Sequence, residues 1–366
     1  MILKRLSILN YKNITQAELD FSPKMNCFFG NNGMGKTNLL DAIYYLSFSK
    51  SYLTAQDSQV IQHGGDLAVL QGFYDYEGRA EEFFCGIKRG QRKQFKRNKK
   101  EYEKLADHIA LFPLVMGSPS DVELVRGGSE ERRRFLDILI SQHDQQYLHA
   151  LMTYNRALQQ RNMMLKNGSE VSLYEVIEDQ MDYYAQLIYA RRTSFVEDFV
   201  PIFKTFYQFI CKTEEEVALN YVSKLKDASL KELLKENRQR DQILGYTSVG
   251  VHKDDLEMTL NEHLIRKIGS QGQTKTYLIA LKLSQFDYLS ARGNTLPILL
   301  LDDIFDKLDA TRVEQIIKLV ADDRFGQIFI TDTNRKYLDE ILLSMNHDYK
   351  LFRVDKGCVF NLDNSI

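Results

Sequence analysis

Apolar and polar residues are distributed differently in three parts of this 366-residue chain. In residues 1–126, short apolar runs separated by turn residues predict β-strands, interrupted by a helix at 38–46. In residues 127–244, apolar residues recur at helical spacing, and in residues 245–366 strands and helices alternate again. We therefore predict an α/β domain formed by both ends of the chain, residues 1–126 and 245–366, with residues 127–244 inserted as a mainly helical lobe.

The inserted lobe carries helix signals and few strand signals. Ser129 is a suitable N-cap, and the acidic residues after it suit the first turn of a helix. Pro201 predicts a break in the longest periodic segment, because proline lacks the N–H that an interior helical position donates. The predicted helices span approximately residues 129–149, 151–166, 173–212 and 230–240.

The part after residue 245 reads as the second half of the α/β domain. A strand at 256–260 is followed by a long helix that continues to about residue 289. A continuous apolar run at 298–301 and a further strand at 327–330 are typical of parallel strands that are buried on both faces. We expect these strands to complete the sheet that the first part of the chain begins.

The stretch Gly30–Thr37 reads G-N-N-G-M-G-K-T and lies between an apolar run, 25–29, and the predicted helix. This strand–loop–helix context is typical of a phosphate-binding loop, in which glycines let backbone N–H groups converge on phosphate oxygens. The amino terminus of the helix adds partial positive charge. Lys36 would reach the β- and γ-phosphates, and the Thr37 hydroxyl would ligate Mg²⁺. The predicted nucleotide-binding residues are Gly30, Asn31, Asn32, Gly33, Met34, Gly35, Lys36, Thr37 and Asn38.

Two carboxylates follow the apolar strand at 298–301. Acids at the carboxyl end of a buried parallel strand emerge where open α/β sheets bind their ligands. Asp302 would hold Mg²⁺, and Asp303 would orient or deprotonate the attacking water. Two aspartates after a strand also suit a turn or a helix cap, but the phosphate loop favours the functional interpretation. Lys36, Asp302 and Asp303 are therefore the predicted catalytic residues.

A tetrapeptide at a predicted helix amino terminus, S-Q-G-Q at 270–273, precedes these acids. Its order and placement match the signature motif of ABC-type ATPases, which caps the γ-phosphate held by a partner subunit. A serine hydroxyl, a glycine that permits close approach and a helix amino terminus all favour an anion. We therefore predict that these residues act in trans on a second copy of the chain; they are Ser270, Gln271, Gly272 and Gln273.

Composition limits the classes of partner. The formal net charge of −2 excludes a globally basic nucleic-acid binder but allows a local basic face.

Cys27, Cys85, Cys211 and Cys358 show no metal-ligand spacing and suit a reducing compartment. The amino-terminal segment reads as a strand rather than a signal peptide, and no apolar run approaches the roughly 20 residues of a membrane span. These features predict a soluble cytoplasmic protein.

Basic residues concentrate at 88–100, where Gly90 predicts a hairpin of two short strands. Such a run is either a solvated face or a ribbon that contacts nucleic-acid phosphates. A second basic cluster, at 132–134, starts a helix, where the dipole disfavours cations. It suits an anionic partner or ion pairs with Glu130 and Glu131, so DNA, nucleotide and interdomain contacts stay open. The candidate DNA contacts are Lys50, Lys88, Arg89, Arg92, Lys93, Lys96, Arg97, Arg132, Arg133 and Arg134.

Five stretches together resemble the RecF recombination-mediator family along nearly the whole chain. They are G-N-N-G-M-G-K-T-N-L-L-D-A-I-Y-Y-L-S at 30–47, E-R-R-R-F-L-D at 131–137, G-V-H-K-D-D-L at 250–256, G-S-Q-G-Q at 269–273 and L-L-L-D-D-I-F-D-K-L-D at 299–309. The resemblance implies an ABC-type P-loop ATPase head built from both chain ends. It also implies ATP and Mg²⁺ binding, ATP-dependent homodimers on single-stranded and duplex DNA at gaps, and slow, DNA-stimulated hydrolysis. RecR and RecO partners, which help to load recombinase, are implied as well.

Several positions differ from the usual pattern of that family. Val251 stands where proline is expected, and Lys253 stands where arginine is expected, which keeps the charge but loses the bidentate fork. Thr331 takes the position of the ABC switch histidine. In the region of a Q-loop glutamine, the sequence has Ser118 and Asp121.

Three other functions fit parts of the sequence. The main alternative is a soluble ABC-type engine of a transport or other non-DNA system, which the S-Q-G-Q form and the helical insert disfavour. An SMC-like tether would need long coiled-coil heptads, for which the interval between the two nucleotide motifs is too short. A nuclease would need a further acidic metal-binding domain, which we do not expect in the residues after Asp303.

Overall fold

The computed structural model describes residues 1–109, 111–168, 172–212, 214–293, 295–305, 308–320, 322, 324–333, 339, 342 and 348–362. The chain forms two compact units. The first combines Met1–Asp121 with Lys275–Ile366, and the second is Val122–Thr274. Both ends of the chain therefore belong to one unit, and its middle belongs to the other.

Strands and helices occupy most of the described ranges. In chain order, the strands are β1 (Ile2–Tyr11), β2 (Ile14–Asp20), β3 (Met25–Phe29), β4 (Leu67–Tyr76), β5 (Arg79–Lys88), β6 (Gln94–Arg97), β7 (Lys100–Glu101), β8 (Leu114–Gly117), β9 (Val217–Val222), β10 (Asp255–Leu260), β11 (His263–Leu264), β12 (Ile298–Asp302), β13 (Ile328–Asp332), β14 (Tyr349–Asp355) and β15 (Cys358–Asn361). The α-helices are α1 (Lys36–Phe48), α2 (Ala106–Ile109), α3 (Val122–Arg126), α4 (Ser129–Ser141), α5 (Gln145–Asn167), α6 (Ser172–Cys211), α7 (Leu230–Leu244), α8 (Ile265–Ile268), α9 (Gln271–Arg292) and α10 (Ala310–Val320).

A mainly parallel sheet carries the predicted phosphate loop and the predicted acids. Its strand order is β15-β14-β3-β13-β12-β8, and β3, β13, β12 and β8 run parallel to their neighbours. All five residues of β12 are buried, as its continuous apolar run predicted. Because the carboxyl ends of parallel strands meet at one edge, the ends of β3, β12 and β13 lie together there.

The other sheet of the first unit is antiparallel, in the order β2-β1-β4-β5-β6-β7. Along β4, buried residues alternate with more exposed ones over most of its length, which is the pattern of a sheet with one face in the core. The predicted basic hairpin is confirmed, since β5 and β6 pair antiparallel and Gly90 between them has a φ of 70°. Only a residue tolerant of left-handed backbone suits that turn.

The second unit is mainly helical but also contains a small sheet, ordered β11-β10-β9. The sequence pattern predicted no strand at β9 and assigned β10 to the α/β domain, and that assignment was wrong. Met258 of β10 pairs with Leu219 of β9, and both are buried, so long-range pairing places β10 with the helices. For this reason the second unit continues to Thr274, beyond the predicted lobe boundary at residue 244.

Two helix boundaries in the second unit also differ from the prediction. The chain leaves α4 at Ser141 rather than near residue 149, and Asp144 caps the next helix by accepting a hydrogen bond of 2.9 Å from the Tyr147 N–H. The predicted break at Pro201 is wrong, because Pro201 lies inside α6, a continuous helix of 40 residues. Buried aromatic residues on both sides of Pro201, including Phe199 and Phe203, stabilise the continuous helix and offset the lost hydrogen bond.

No helix in the part of the chain that the structure describes is both long and apolar enough to cross a membrane.

Candidate nucleotide and DNA-binding sites

The loop between β3 and α1 is shaped by glycines that tolerate no side chain. A Cβ at Gly30 would lie 2.2 Å from the carbonyl oxygen of Val354, far inside contact distance. Gly35 has a φ of 115°, and a Cβ there would lie 2.8 Å from Oδ1 of Asn13. The loop therefore depends on glycine at these positions for both backbone conformation and space, as a phosphate-binding loop requires.

Two neighbouring turns hold the loop from the side. In the turn between β1 and β2, Asn13 Oδ1 accepts a hydrogen bond of 2.8 Å from Asn38 Nδ2. In the turn between β14 and β15, the Gly357 N–H donates to the Met34 carbonyl at 2.8 Å. The structure therefore engages two of the predicted nucleotide-binding residues in supporting the loop, while three others are exposed on it; these are Asn31, Asn32 and Gly33.

Lys36 lies at the first position of α1, with its ammonium group over the loop. Its Nζ donates to the carbonyl oxygens of Gly30 at 2.6 Å and Asn31 at 3.1 Å. Burial lowers the pKa of the Lys36 ammonium group, and the nearby acids, with Asp303 the strongest, oppose that shift. The cation is thus positioned among the backbone groups that would surround a phosphate.

Asp302 receives a hydroxyl group on each of its carboxylate oxygens. Thr37 Oγ1 donates to Oδ2 at 2.8 Å, and Thr331 Oγ1 donates to Oδ1 at 2.5 Å. Burial raises the pKa of the Asp302 carboxyl group, whereas the two hydroxyl groups oppose that rise. A carboxylate beside the Thr37 hydroxyl is the oxygen-donor set that Mg²⁺ prefers, so the residues present fit the predicted metal.

Asp303, the second predicted acid, is held through its backbone. It has a φ of 48°, a left-handed conformation that non-glycine residues rarely adopt. Its N–H donates to both the carbonyl oxygen and the hydroxyl oxygen of Thr331, each at 3.1 Å, and its carbonyl accepts from Lys275 Nζ at 2.9 Å. Asp306 and Lys307 of the same sequence motif lie outside the described residues.

Asp121 in the expected Q-loop region is engaged within its own unit. It accepts a 2.7 Å hydrogen bond from the Ser118 N–H and pairs with Lys282 Nζ at 3.3 Å. The Tyr52 hydroxyl also donates to the Asp121 carboxylate. These contacts connect the end of β8 to α9, and the sequence pattern did not place Lys282 or Tyr52 among the site residues.

The S-Q-G-Q tetrapeptide forms a reciprocal helix cap. The Gln273 N–H donates to Ser270 Oγ at 3.1 Å, and the Ser270 N–H donates to Gln273 Oε1 at 2.9 Å. Gln273 Nε2 also donates to Glu215 Oε1 at 2.7 Å. Ser270 and Gln271 are exposed at the amino terminus of α9, so their surface is accessible to an anion or a second chain.

The predicted DNA contacts of the first unit fall into two groups. Lys93 is nearly buried, pairs with Asp57 at 2.9 Å and donates to the Ser49 carbonyl after α1. Arg97 forms a bidentate pair with Glu81, at 2.7 and 2.8 Å, which raises the pKa of Arg97. Lys96 is part-buried over the ring of Phe84, whereas four other basic residues are exposed; these are Lys50, Lys88, Arg89 and Arg92.

The arginine cluster of the second unit also divides into two groups, with two residues bonded inside the unit and one more exposed. Arg132 is buried and binds both carboxylate oxygens of Asp255, at 2.6 and 3.0 Å. Arg133 donates to the Asp254 carbonyl at 2.6 Å. Arg134 is more exposed and lies 3.8 Å from Glu131. Arg132 and Arg133 thus connect α4 to the start of β10, which accounts for cations at a helix amino terminus.

Comparisons with known proteins agree with this architecture. A family model described as the RecF/RecN/SMC N terminal domain matches residues 2–359. A solved structure of an Smc head bound to the C-winged helix domain of ScpA has a TM-score of 0.59 at 13% identity, covering 99% of this chain and 98% of that chain. Together with the phosphate loop and the paired acids, this fold defines an α/β ABC-type ATPase with a helical insert.

Closer relatives identify the branch of that class. DNA replication and repair protein RecF of Parabacteroides distasonis is 68% identical over 358 residues, covering 98% of each chain, and that of Bacteroides thetaiotaomicron is 59% identical over 362 residues, with the same coverage. A structure of the recombination mediator protein RecF-ATP in the RecFOR pathway has a TM-score of 0.88 at 27% identity, covering 99% of this chain and 97% of that chain. The chain belongs to the RecF family.

Proposed function

We propose that this protein is an ATP-dependent, DNA-binding recombination mediator that acts in DNA replication and repair. The observation that carries the proposal is the convergence of Thr37 and Asp302 behind a glycine-shaped loop, in a chain 68% identical to a DNA replication and repair protein RecF. The similarity extends over 98% of both chains, which favours repair over a transport engine. The DNA partner agrees with a cytoplasmic location.

ATP is the nucleotide that we assign to the phosphate loop. Lys36 and the backbone N–H groups of the loop would bind its phosphates, while Thr37 and Asp302 would hold Mg²⁺. When bound, the metal supplies positive charge that polarises the phosphoryl oxygens. Asp303 would orient the attacking water and accept its proton. The expected reaction is slow hydrolysis, stimulated by DNA.

Two copies of the chain would share each nucleotide. Ser270 and Gln271 are exposed at a helix amino terminus, a suitable place to bind the γ-phosphate held by a partner. Contacts that exist only in the ATP-bound pair link dimer stability to nucleotide concentration. ATP therefore acts mainly as a dimerisation switch, and its hydrolysis releases the complex.

DNA would bind the head near the exposed basic residues of the β5–β6 region, at single-stranded and duplex gap junctions. RecR and RecO type proteins are the proposed partners for recombinase loading.

Equilibrium binding to gapped DNA tests this function. Fluorescence anisotropy with a labelled gapped duplex should show tighter binding with ATP than with ADP or without nucleotide. Lys36→Ala should abolish that difference, because the phosphate loop loses its cation. Lys318→Ala is the matched control, since Lys318 is exposed and pairs only with Glu314 one turn away among the contacts described for it. An ATP effect that persists unchanged in Lys36→Ala would contradict the assignment.

A further inference from the structure

The hydroxyl group of Thr331 contacts both predicted acids. Among its described contacts, it touches no residue of the phosphate loop. We propose that Thr331 is the positioning residue that fixes the geometry of Asp302 and Asp303. Its side chain is fully buried at the end of β13. Strand register places Thr331 directly beside Asp302, so the contact follows from the sheet itself.

The hydrogens that each group carries determine which atom donates in each hydrogen bond. The Asp303 N–H must donate to Thr331 Oγ1, at 3.1 Å. A hydroxyl group has one hydrogen, and that hydrogen is therefore directed to Asp302 Oδ1, at 2.5 Å. Thr331 thus connects the carboxylate of one acid to the backbone of the next.

This arrangement restrains both acids. Thr37 already donates to Oδ2 of Asp302, so the second hydroxyl group fixes the remaining oxygen and with it the plane of the carboxylate. At Asp303, the strained φ of 48° is held by two hydrogen bonds to Thr331, one to its carbonyl and one to its hydroxyl oxygen. Loss of the hydroxyl group would free the orientation of both residues while leaving the phosphate loop intact.

The position is that of the ABC switch histidine, but the geometry assigns it another task. The single hydroxyl hydrogen of Thr331 is used on Asp302, and the side chain is buried. Thr331 therefore acts through the two acids and has no donor left for a γ-phosphate. This inference rests on the proposed function, because it concerns residues that would hold Mg²⁺ and activate water.

The test combines three substitutions with two measurements on the full chain. Thr331→Val removes the hydroxyl group at nearly constant shape, Thr331→Cys leaves a weak donor, and Thr331→Ser keeps the hydroxyl group. Thr259→Val, in buried strand β10 of the second unit, is the matched control. The measurements are the Mg²⁺ concentration that half-saturates binding of a fluorescent ATP analogue, and the single-turnover hydrolysis rate.

We expect Thr331→Val to raise the half-saturating Mg²⁺ concentration and to lower the hydrolysis rate, each by roughly tenfold or more, which is typical of groups that orient metal ligands. At saturating Mg²⁺, the Kd for the analogue should change by less than about threefold, because Lys36 and the loop remain. Thr331→Ser should restore both quantities to near the original values, and Thr331→Cys should lie between serine and valine.

Two outcomes separate the failure of this inference from the failure of the proposed function. If Lys36→Ala abolishes nucleotide binding but Thr331→Val and Thr331→Cys match the original protein, the positioning role is overturned. If Lys36→Ala leaves nucleotide binding intact, the proposed function itself fails. Should Thr331→Val not fold, as shown by loss of its thermal transition, Thr331→Cys decides the matter through the same two measurements.

Discussion

Thr37 and Asp302 are 265 residues apart in sequence, yet Thr37 Oγ1 donates to Asp302 Oδ2 at 2.8 Å. Parallel pairing explains this proximity, because β3 pairs with β13 and β13 pairs with β12. The phosphate loop and the acidic residues therefore come from opposite ends of the chain and meet at one edge of one sheet. A single chain thus brings together the glycine-rich loop, Lys36 and the two acids that we predict to act on a nucleotide.

Replacement of Asp303 separates nucleotide binding from hydrolysis. We expect Asp303→Asn to bind ATP and form dimers, but to hydrolyse ATP roughly 100-fold more slowly, because an amide cannot accept the proton of the attacking water. Asp309→Asn is the control, since Asp309 accepts from the Arg312 N–H, a contact that asparagine can also make. Single-turnover hydrolysis of labelled ATP measures both, and unchanged turnover in Asp303→Asn would remove this residue from water activation.

Replacement of Ser270 tests whether the signature residues act on a second copy. Ser270→Arg should leave nucleotide binding by the monomer within about twofold but should prevent ATP-dependent pairing, because a bulky cation fills the surface that faces the partner. Ser229→Arg is a matched control, since Ser229 forms the same reciprocal cap with Glu232 at the start of α7. Loss of nucleotide binding in the Ser270→Arg monomer would mean instead that Ser270 acts in cis.

The exposed and engaged basic residues of the β5–β6 region should behave differently towards DNA. We expect the double variant Lys88→Ala/Arg92→Ala to weaken DNA binding and to make log Kd less steep against log salt by about one for each phosphate that is no longer neutralised. Lys93→Ala should instead lower the free energy of unfolding by about 1 kcal/mol, because Asp57 and the Ser49 carbonyl lose their donor. Anisotropy titrations at several salt concentrations and thermal melts distinguish the two; an unaltered salt slope in the double variant would exclude these residues as DNA contacts.

The helical unit depends on a buried guanidinium group. Arg161 is fully buried and binds Glu178 at 3.0 Å and Asp241 at 2.7 Å, which connects α5 to α6 and α7. Arg161→Ala should destabilise the protein by about 3–5 kcal/mol, because the buried Asp241 loses its ion-pair partner and the buried Glu178 retains only Arg238. Lys231→Ala removes an exposed pair with Asp179 and should leave the melting temperature nearly unchanged. Equal melting temperatures in the two variants, measured by calorimetry, would contradict the structural role of Arg161.

The features that sequence alone predicted are those encoded locally. The strand before Gly30, the helix after it and the apolar strand β12 each have a complete signal within a few residues. The α/β class, with a helical insert between the two chain ends, follows from the same signals and is confirmed. Gly90 similarly identified the basic hairpin. Motif order then predicted which segments meet at the nucleotide site.

The features that escaped prediction depend on residues far apart in sequence. Strand β9 has six residues and a weak pattern, and its place is set by pairing with β10. The sequence left Arg132 open between an anionic partner and ion pairs with Glu130 and Glu131, whereas its carboxylate partner, Asp255, lies 123 residues away. The positioning role of Thr331 needs the register between β13 and β12, which no local pattern gives. Strand-end threonines beside paired acids are the signal that could have indicated it.

Sedimentation velocity tests the shared-site account most directly. The protein is run with ATP, with ADP and without nucleotide, each with and without gapped DNA, and Asp303→Asn is included so that ATP persists during the run. We predict a dimer with ATP and a monomer with ADP or without nucleotide, with DNA increasing the proportion of the ATP-bound dimer. A monomer at saturating ATP, or the same degree of association in all three nucleotide conditions, would contradict the claim that ATP holds two chains together.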